Sequence, residues 1–239
     1  QGTPAFNVNR LCGSGLQAIV SAAQAISLGD TDIAIGGGAE NMSRGAYLLP
    51  QGRWGARMGD TPMIDMVVGA LHDPFHKIHM GVTAENVAEQ YGITRDQMDA
   101  LAAESHRRAS AAIAAGHFKS QIVPVVTASK KGDIVFDTDE HVKASTTVES
   151  LSKMRPAFKK DGMVTAGNAS GINDGAGAVV LASGEAVKAR NLKPIARLVA
   201  YAHAGVEPTI MGIGPVPATR LALKKAGLTI ADLDVIESN

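Results

Sequence analysis

Leu16, Ile19, Val20, Ala23 and Ile26 recur at steps of three and four residues, which gives segment 13–28 one apolar face and predicts an amphipathic helix there, closed by Gly29. Before it, Ala5–Val8 reads as a short apolar strand. After it, Ile33–Ile35 reads as a buried strand running into glycines, so the chain opens as β-α-β. From about Ser43 to Ile172 the pattern changes. Irregular pieces containing Gly and Pro surround helices expected near residues 61–71, 80–91 and 94–115, an organisation that suggests a large inserted subdomain. Thr94 with Gln97 forms a capping-box pattern and Gly116 closes the last of these helices. The charged stretch Ser129–Glu140 predicts an exposed hairpin or loop. From Gly175 the alternation returns: strand at Ala178–Leu181, helix at Glu185–Arg190, strand at Ile195–Tyr201, helix at Ala218–Lys225 and a terminal strand over Asp234–Asn239. Alternation of this kind predicts an α/β protein with mixed or parallel sheets covered by helices.

Composition narrows the function classes. Lys plus Arg equal Asp plus Glu at 23 each in 239 residues, so no broad field recommends a nucleic acid or an anionic membrane as partner. No apolar run is expected to approach the roughly 20 residues of a transmembrane helix, and no signal-like segment opens the chain. A single cysteine excludes an internal disulfide framework and is in keeping with a cytoplasmic protein. Gln1 is not an initiator methionine and the terminal strand stops without a turn, so the chain reads as an excerpt of something longer.

That cysteine, Cys12, is the candidate nucleophile. It lies in Asn9-Arg10-Leu11-Cys12-Gly13-Ser14-Gly15-Leu16, where a strand is expected to enter the first helix. Unpaired amides and the positive dipole end at a helix N-terminus favour a thiolate, and Gly13 and Gly15 leave the sulfur open to a substrate. Against this stands a buried structural cysteine. Gly13-Ser14-Gly15-Leu16-Gln17-Ala18 also fits a dinucleotide fingerprint, but the acidic residue at the right distance, Asp32, precedes its strand. His72, His76 and His79 would align on a helix and suggest a metal site, but Pro74 interrupts the pattern and no HExxH accompanies it. Gly36-Gly37-Gly38 lacks the G-K-[ST] of a phosphate loop, which favours close backbone packing. Glu40 and Glu85 are expected to be buried partners that position loops.

Four motifs lie in order along the chain: Asn9-Arg10-Leu11-Cys12-Gly13-Ser14-Gly15-Leu16; Gly36-Gly37-Gly38-Ala39-Glu40-Asn41-Met42-Ser43; His79-Met80-Gly81-Val82-Thr83-Ala84-Glu85-Asn86; and Thr165-Ala166-Gly167-Asn168-Ala169-Ser170-Gly171. Together they resemble the thiolase family, most closely its bacterial short-chain β-ketothiolases, over essentially the whole chain. The resemblance implies a layered α/β/α/β/α fold with an inserted loop domain over the coenzyme A site. The N-terminal half would be residues 1–42 and 173–193, the loop domain 43–172 and part of the C-terminal half 194–239. It implies acyl transfer between coenzyme A thioesters through an acyl-enzyme on Cys12, with acyl-CoA and CoA as substrates, no added cofactor and no metal. Leu71, His79, Met80, Phe158, Ala166, Ser170 and Ile172 would line the pantetheine path, with Ser150 and Lys143 nearer the nucleotide. Lys143 stands where many relatives have an arginine, a point charge in place of a guanidinium fork. Asn239 falls on the asparagine of the family's N-E-A-F motif, which orients a water at an oxyanion site. The family's G-H-P histidine and second catalytic cysteine are expected beyond Asn239. Homodimers or homotetramers are implied, with contacts around Tyr47 to Trp54. A non-catalytic acyl-CoA or lipid-carrier binding module and a ketoacyl-synthase-type condensing enzyme are the other readings.

Overall fold

A computed structural model describes residues 2–239. In chain order the elements are α1 (Ser14–Leu28), β1 (Ile33–Asn41), β2 (Tyr47–Leu48), β3 (Ile64–Asp65), α2 (Met66–Ala70), α3 (Met80–Tyr91), α4 (Arg95–Ala114), β4 (Val125–Thr127), β5 (Ile134–Phe136), α5 (Val148–Ser152), β6 (Asp174–Ala182), α6 (Gly184–Ala189) and α7 (Pro215–Ala226), with short 3-10 turns between. They form two compact units. The first holds the residues up to His72 together with Ile172–Glu207 and Gly212–Asn239; the second holds Asp73–Gly171 with Pro208–Met211.

The first unit is built on the antiparallel ladder of β1 and β6, in register from Ile33 opposite Ala182 to Asn41 opposite Asp174. The strand expected to end at Ile35 runs straight through the glycines to Asn41. Those glycines serve the packing. A Cβ on Gly36 would stand 2.8 Å from the Cα of Ile19, so α1 lies directly on the backbone of β1. Sequence pattern pointed to mixed or parallel pairing, and the ladder formed is antiparallel. Ser43 closes its end: the backbone N–H of Ser43 donates to Asp174 Oδ1 at 2.9 Å and its hydroxyl to Asp174 Oδ2 at 2.5 Å. Those bonds hold the Asp174 carboxyl below its ordinary value.

Three expected strands, at 5–8, 195–201 and 234–239, are not formed among the described residues. A strand exists through its ladder partner, and apolar pattern supplies none. The helix expected over 61–71 is shortened to α2, because Ile64–Asp65 pairs with Tyr47–Leu48 and the Asp65 carboxylate caps the amides of Val67 and Val68. One stretch, Leu11–Leu28, is long and apolar enough to cross a membrane by length and composition, with mean hydropathy 1.3 over 18 residues, contrary to expectation. Its Ile19 backbone is the one packed against Gly36.

The second unit carries α3, α4 and α5 with the hairpin of β4 and β5 and long irregular connections. Thr94 and Gln97 form the expected capping box of α4, and Gly116 follows in the left-handed region. The charged stretch forms a hairpin in which Val125–Thr127 pairs with Ile134–Phe136, turning at Gly132 with φ 110°. Ala88, Leu151 and Val164 supply its buried apolar contacts, beside the buried polar groups Thr83, Glu85, Asp99 and Thr165.

Candidate active site

Cys12 sits in a 3-10 turn, Leu11–Gly13, immediately before α1, and is exposed. The residue before it is strained. Leu11 has φ 49°, a left-handed conformation that costs a branched side chain free energy and persists only where neighbours enforce it. The neighbours are visible. Asn9 Oδ1 accepts the Leu11 amide at 3.0 Å, while Ser14 Oγ accepts the Arg10 amide at 2.8 Å and donates to the Leu11 carbonyl at 2.7 Å. Arg10 also reaches Gln17 Oε1 at 2.9 Å. The turn is therefore clasped from both sides, and its product is an exposed thiol at the entrance of a fifteen-residue helix. The parts played by Asn9 and Ser14 were not read from sequence. Their signal was there, since Asn and Ser bond to backbone two or three residues away in turns of this kind.

Leu71, Ile172 and Asn239 belong to the same unit as Cys12. Leu71 is half-buried at the C-cap of α2, whereas Ile172 and Asn239 are exposed and lie outside regular elements. Glu40 is exposed, with Oε1 accepting the amide of Asn41 at 3.1 Å, which corrects the expectation that it is buried. It lies near the end of a strand whose side chains there face solvent.

The remaining candidates, His79, Met80, Lys143, Ser150, Phe158, Ala166 and Ser170, lie in the second unit. A tight turn delivers His79 there. Asp73 is buried and its carboxylate accepts the His76 amide at 2.5 Å and the His76 ring at 3.0 Å. Burial alone would raise the Asp73 carboxyl, but the two His76 bonds hold it below its ordinary value. His79 caps α3: its Nδ1 accepts the Gly81 amide at 2.9 Å, so in the neutral ring the proton is on Nε2. The ring stacks on Phe158 with centroids 4.5 Å apart. Gly81 is where that stack needs space, because a Cβ would run into the Phe158 ring. Met80 is half-buried at the first position of α3. His72 follows α2 and contacts the Val68 carbonyl at 2.7 Å, so no helix runs from 72 to 79 to align the three imidazoles.

The loop carrying Ala166 and Ser170 is held by buried polar groups. Glu85, 3 % exposed, accepts the amides of Met163 and Val164 at 2.8 Å each, the loop-positioning part expected of it. Asn168 Nδ2 donates to Asp99 Oδ1 at 2.9 Å and to the Met163 carbonyl at 3.1 Å, and its Oδ1 accepts the Thr165 amide at 2.8 Å. Asp99 in turn pairs with Arg95 at 2.7 Å, and Arg95 donates to the Leu151 carbonyl at 2.6 Å. Sequence reading missed Arg95, Asp99 and the Asn168 side chain. An i, i+4 charge pair on a helix looks like ordinary surface, and only the fold buries it. Ala166 and Lys143 line one cleft, whereas the Ser150 hydroxyl donates to the Thr147 carbonyl at 2.7 Å within the capping box of α5. Ser170 is exposed at the loop's end.

An exposed cysteine on a clasped turn before one helix, and a histidine-capped helix beside a rigid, small-residue loop, are two constellations joined in one chain. Residues 1–185 match the family model described as thiolase, N-terminal domain, and residues 192–239 match thiolase, C-terminal domain. The chain belongs to the thiolase family. It is 67 % identical over 237 residues to beta-ketothiolase BktB of Cupriavidus necator, covering 99 % of this chain and 60 % of that protein. It is 55 % identical to an acetyl-CoA acetyltransferase of Syntrophomonas wolfei over 98 % of this chain and 60 % of the relative. Among solved structures, the Bacillus anthracis acetyl-CoA acetyltransferase superposes with TM-score 0.92 at 48 % identity, covering 96 % of this chain and 58 % of that one. Human mitochondrial 3-ketoacyl-CoA thiolase in complex with CoA gives 0.91 at 45 %, covering 98 % and 58 %. The chain thus spans about 60 % of the length of the curated relatives it matches, and its fold is the thiolase-like α/β fold.

Proposed function

We propose that this chain supplies the nucleophile and coenzyme A-binding part of an acyl-CoA C-acyltransferase, which condenses two short acyl-CoAs to a 3-ketoacyl-CoA plus CoA or runs the reverse thiolysis. The exposed Cys12 on its clasped, left-handed turn carries the reading. The Cys12 sulfur attacks the thioester carbonyl of an acyl-CoA, the carbon–sulfur bond to coenzyme A breaks, and CoA leaves with a proton as the acyl group stays on Cys12. In the second half-reaction an acyl-CoA loses an α-proton, its α-carbon attacks the acyl-Cys12 carbonyl, and Cys12 is released. In thiolysis CoA takes that place. The chain holds one cysteine, so the α-proton goes to a base other than a second cysteine of these residues.

The Cys12 amide serves one oxyanion site and Asn239 orients a water at the other. Leu71, His79, Met80, Phe158, Ala166, Ser170 and Ile172 bind the pantetheine arm, with Ser150 and Lys143 toward the nucleotide. The names of the relatives and the CoA complex of the human thiolase support coenzyme A thioesters as the ligands, and the residue roles rest on the four motifs. Substrates are acyl-CoA and CoA with no added cofactor, in the cytoplasm. Residues 43–172 act as the loop domain inserted into the N-terminal half (1–42 and 173–193), and the C-terminal half begins at 194. The protein works as a homodimer or homotetramer, and exposed Tyr47, Leu48, Leu49 and Trp54 favour contacts there. The test is Cys12→Ala in the complete enzyme with acetoacetyl-CoA and CoA. Loss of thiolysis is expected, and retained turnover would sink the assignment.

A further inference from the structure

We propose that Asn86 is a positioning residue: its carboxamide locks the rotation of α3 about its own axis and so fixes His79 and Met80 at the start of that helix; the ligand they serve rests on the acyl-CoA reading above. Asn86 ends the third motif and is half-buried on α3. Its amide is used at both ends. Nδ2 donates to the Thr209 carbonyl at 3.0 Å, across 123 positions of sequence, and Lys159 Nζ donates to Oδ1 at 3.5 Å. Reversing the amide would set oxygen against the carbonyl and N–H against the ammonium, so one orientation is favoured. From residue 172 onward the chain belongs to the first unit apart from Pro208–Met211, and it is this stretch that Asn86 binds within the second unit.

Two neighbouring positions hold the helix from different directions. Glu85 accepts the amides of Met163 and Val164, and Asn86 reaches Thr209. Consecutive side chains leave a helix about 100° apart around its axis. One such tie lets α3 roll about the attachment point, and two together stop the roll. The start of the helix is where a roll would be felt. His79 caps it and stacks on Phe158 with centroids 4.5 Å apart, and Gly81 lies so close to the Phe158 ring that a Cβ there would overlap it. Lys159, bound to Asn86 Oδ1, directly follows Phe158 in the chain. Asn86 therefore braces both partners of the stack, the helix that carries His79 and the segment that carries Phe158.

Calorimetric titration with coenzyme A and steady-state thiolysis of acetoacetyl-CoA, in the complete enzyme and in its Asn86→Asp and Lys159→Met variants, test the assignment. Asn86→Asp keeps an acceptor for Lys159 but sets a carboxylate oxygen against the Thr209 carbonyl. It is expected to weaken coenzyme A by about tenfold and to raise its KM by more than it lowers kcat. Lys159→Met, at an exposed position, removes only the longer contact and is expected to weaken coenzyme A by about twofold. Alkylation of Cys12 by iodoacetamide, a probe without a pantetheine arm, is expected to keep its native rate in both variants. Coenzyme A affinity and KM unchanged in Asn86→Asp, or a loss carried by kcat alone, overturns the proposal and leaves the acyl-CoA reading standing. A native enzyme that neither binds coenzyme A nor performs thiolysis overturns that reading and this one with it. Should Asn86→Asp fail to fold, Asn86→Ala, which strands the Thr209 carbonyl without repelling it, carries the same expected and contrary results.

Discussion

The two units hold their candidate site residues by opposite means. In the unit with Cys12 the reactive turn is fixed within six residues, Asn9 to Ser14, and the surrounding sheet leaves large apolar side chains such as Ile35 and Val180 exposed. In the unit with His79 the loop of Ala166 and Ser170 is fixed by carboxylates and amides buried far along the chain, Glu85 and Asp99 among them. A nucleophile needs to be reachable, so local hydrogen bonds that keep it at the surface suit it. A surface for a long, mostly uncharged ligand arm needs shape, and shape is set by long-range contacts that exclude water. Damage should therefore spread differently: changes around Cys12 should alter reactivity with little loss of stability, and changes behind the 163–170 loop should cost stability first.

Glu85→Ala should show the largest stability effect. It strands the buried amides of Met163 and Val164, which should cost about 2–4 kcal/mol and appear as a lower urea midpoint; an unchanged midpoint would remove the polar frame from the account. Gly36→Ala should come next, because its Cβ meets the Ile19 backbone and overpacking of this kind costs about 1–3 kcal/mol; thermal unfolding reads it, and a neutral outcome would mean that α1 does not rest on β1 as described. Ser14→Ala should cost less, about 1 kcal/mol for the hydrogen bonds lost, and yet slow alkylation of Cys12 by iodoacetamide or change its rate profile with pH. If stability fell sharply while Cys12 reactivity stayed constant, the contrast between the units would be reversed.

The smallest effect concerns acid. Asp174 is held below its ordinary value of 3.8 first by the Ser43 hydroxyl and then by the Ser43 amide, so its contribution is fully present above that value and is lost as pH falls through the lower folded value. Ser43→Ala keeps the amide bond and removes the hydroxyl. The difference in Tm between native and variant proteins should shrink as pH is taken from 5 towards 3, whereas a constant difference would show that Ser43 acts by packing alone.

Local chemistry is what the sequence made legible. The helix over 80–91 and the capped helix beginning at Thr94 were readable because caps, periodicity and closing glycines lie within a few residues of one another. The placement of Cys12 directly before a helix was readable for the same reason. The strands at 5–8, 195–201 and 234–239 were misread because pairing is a property of two segments, and the run through Gly36–Gly38 was cut short because a strand interior of glycine makes sense only with a helix backbone against it. The bonds from Asn168 to Asp99 and from Glu85 to Met163 join residues 69 and 78 positions apart, beyond the reach of any local pattern.

The central claim is that Cys12 carries the acyl group. Intact-protein mass spectrometry after brief exposure to acetyl-CoA, with peptide mapping, tests it most directly in the complete enzyme. One acetyl group on the peptide containing Cys12, absent from Cys12→Ala, is the expected result. A complete, folded enzyme that turns over while leaving Cys12 unmodified, or that is acetylated equally in Cys12→Ala, would contradict it.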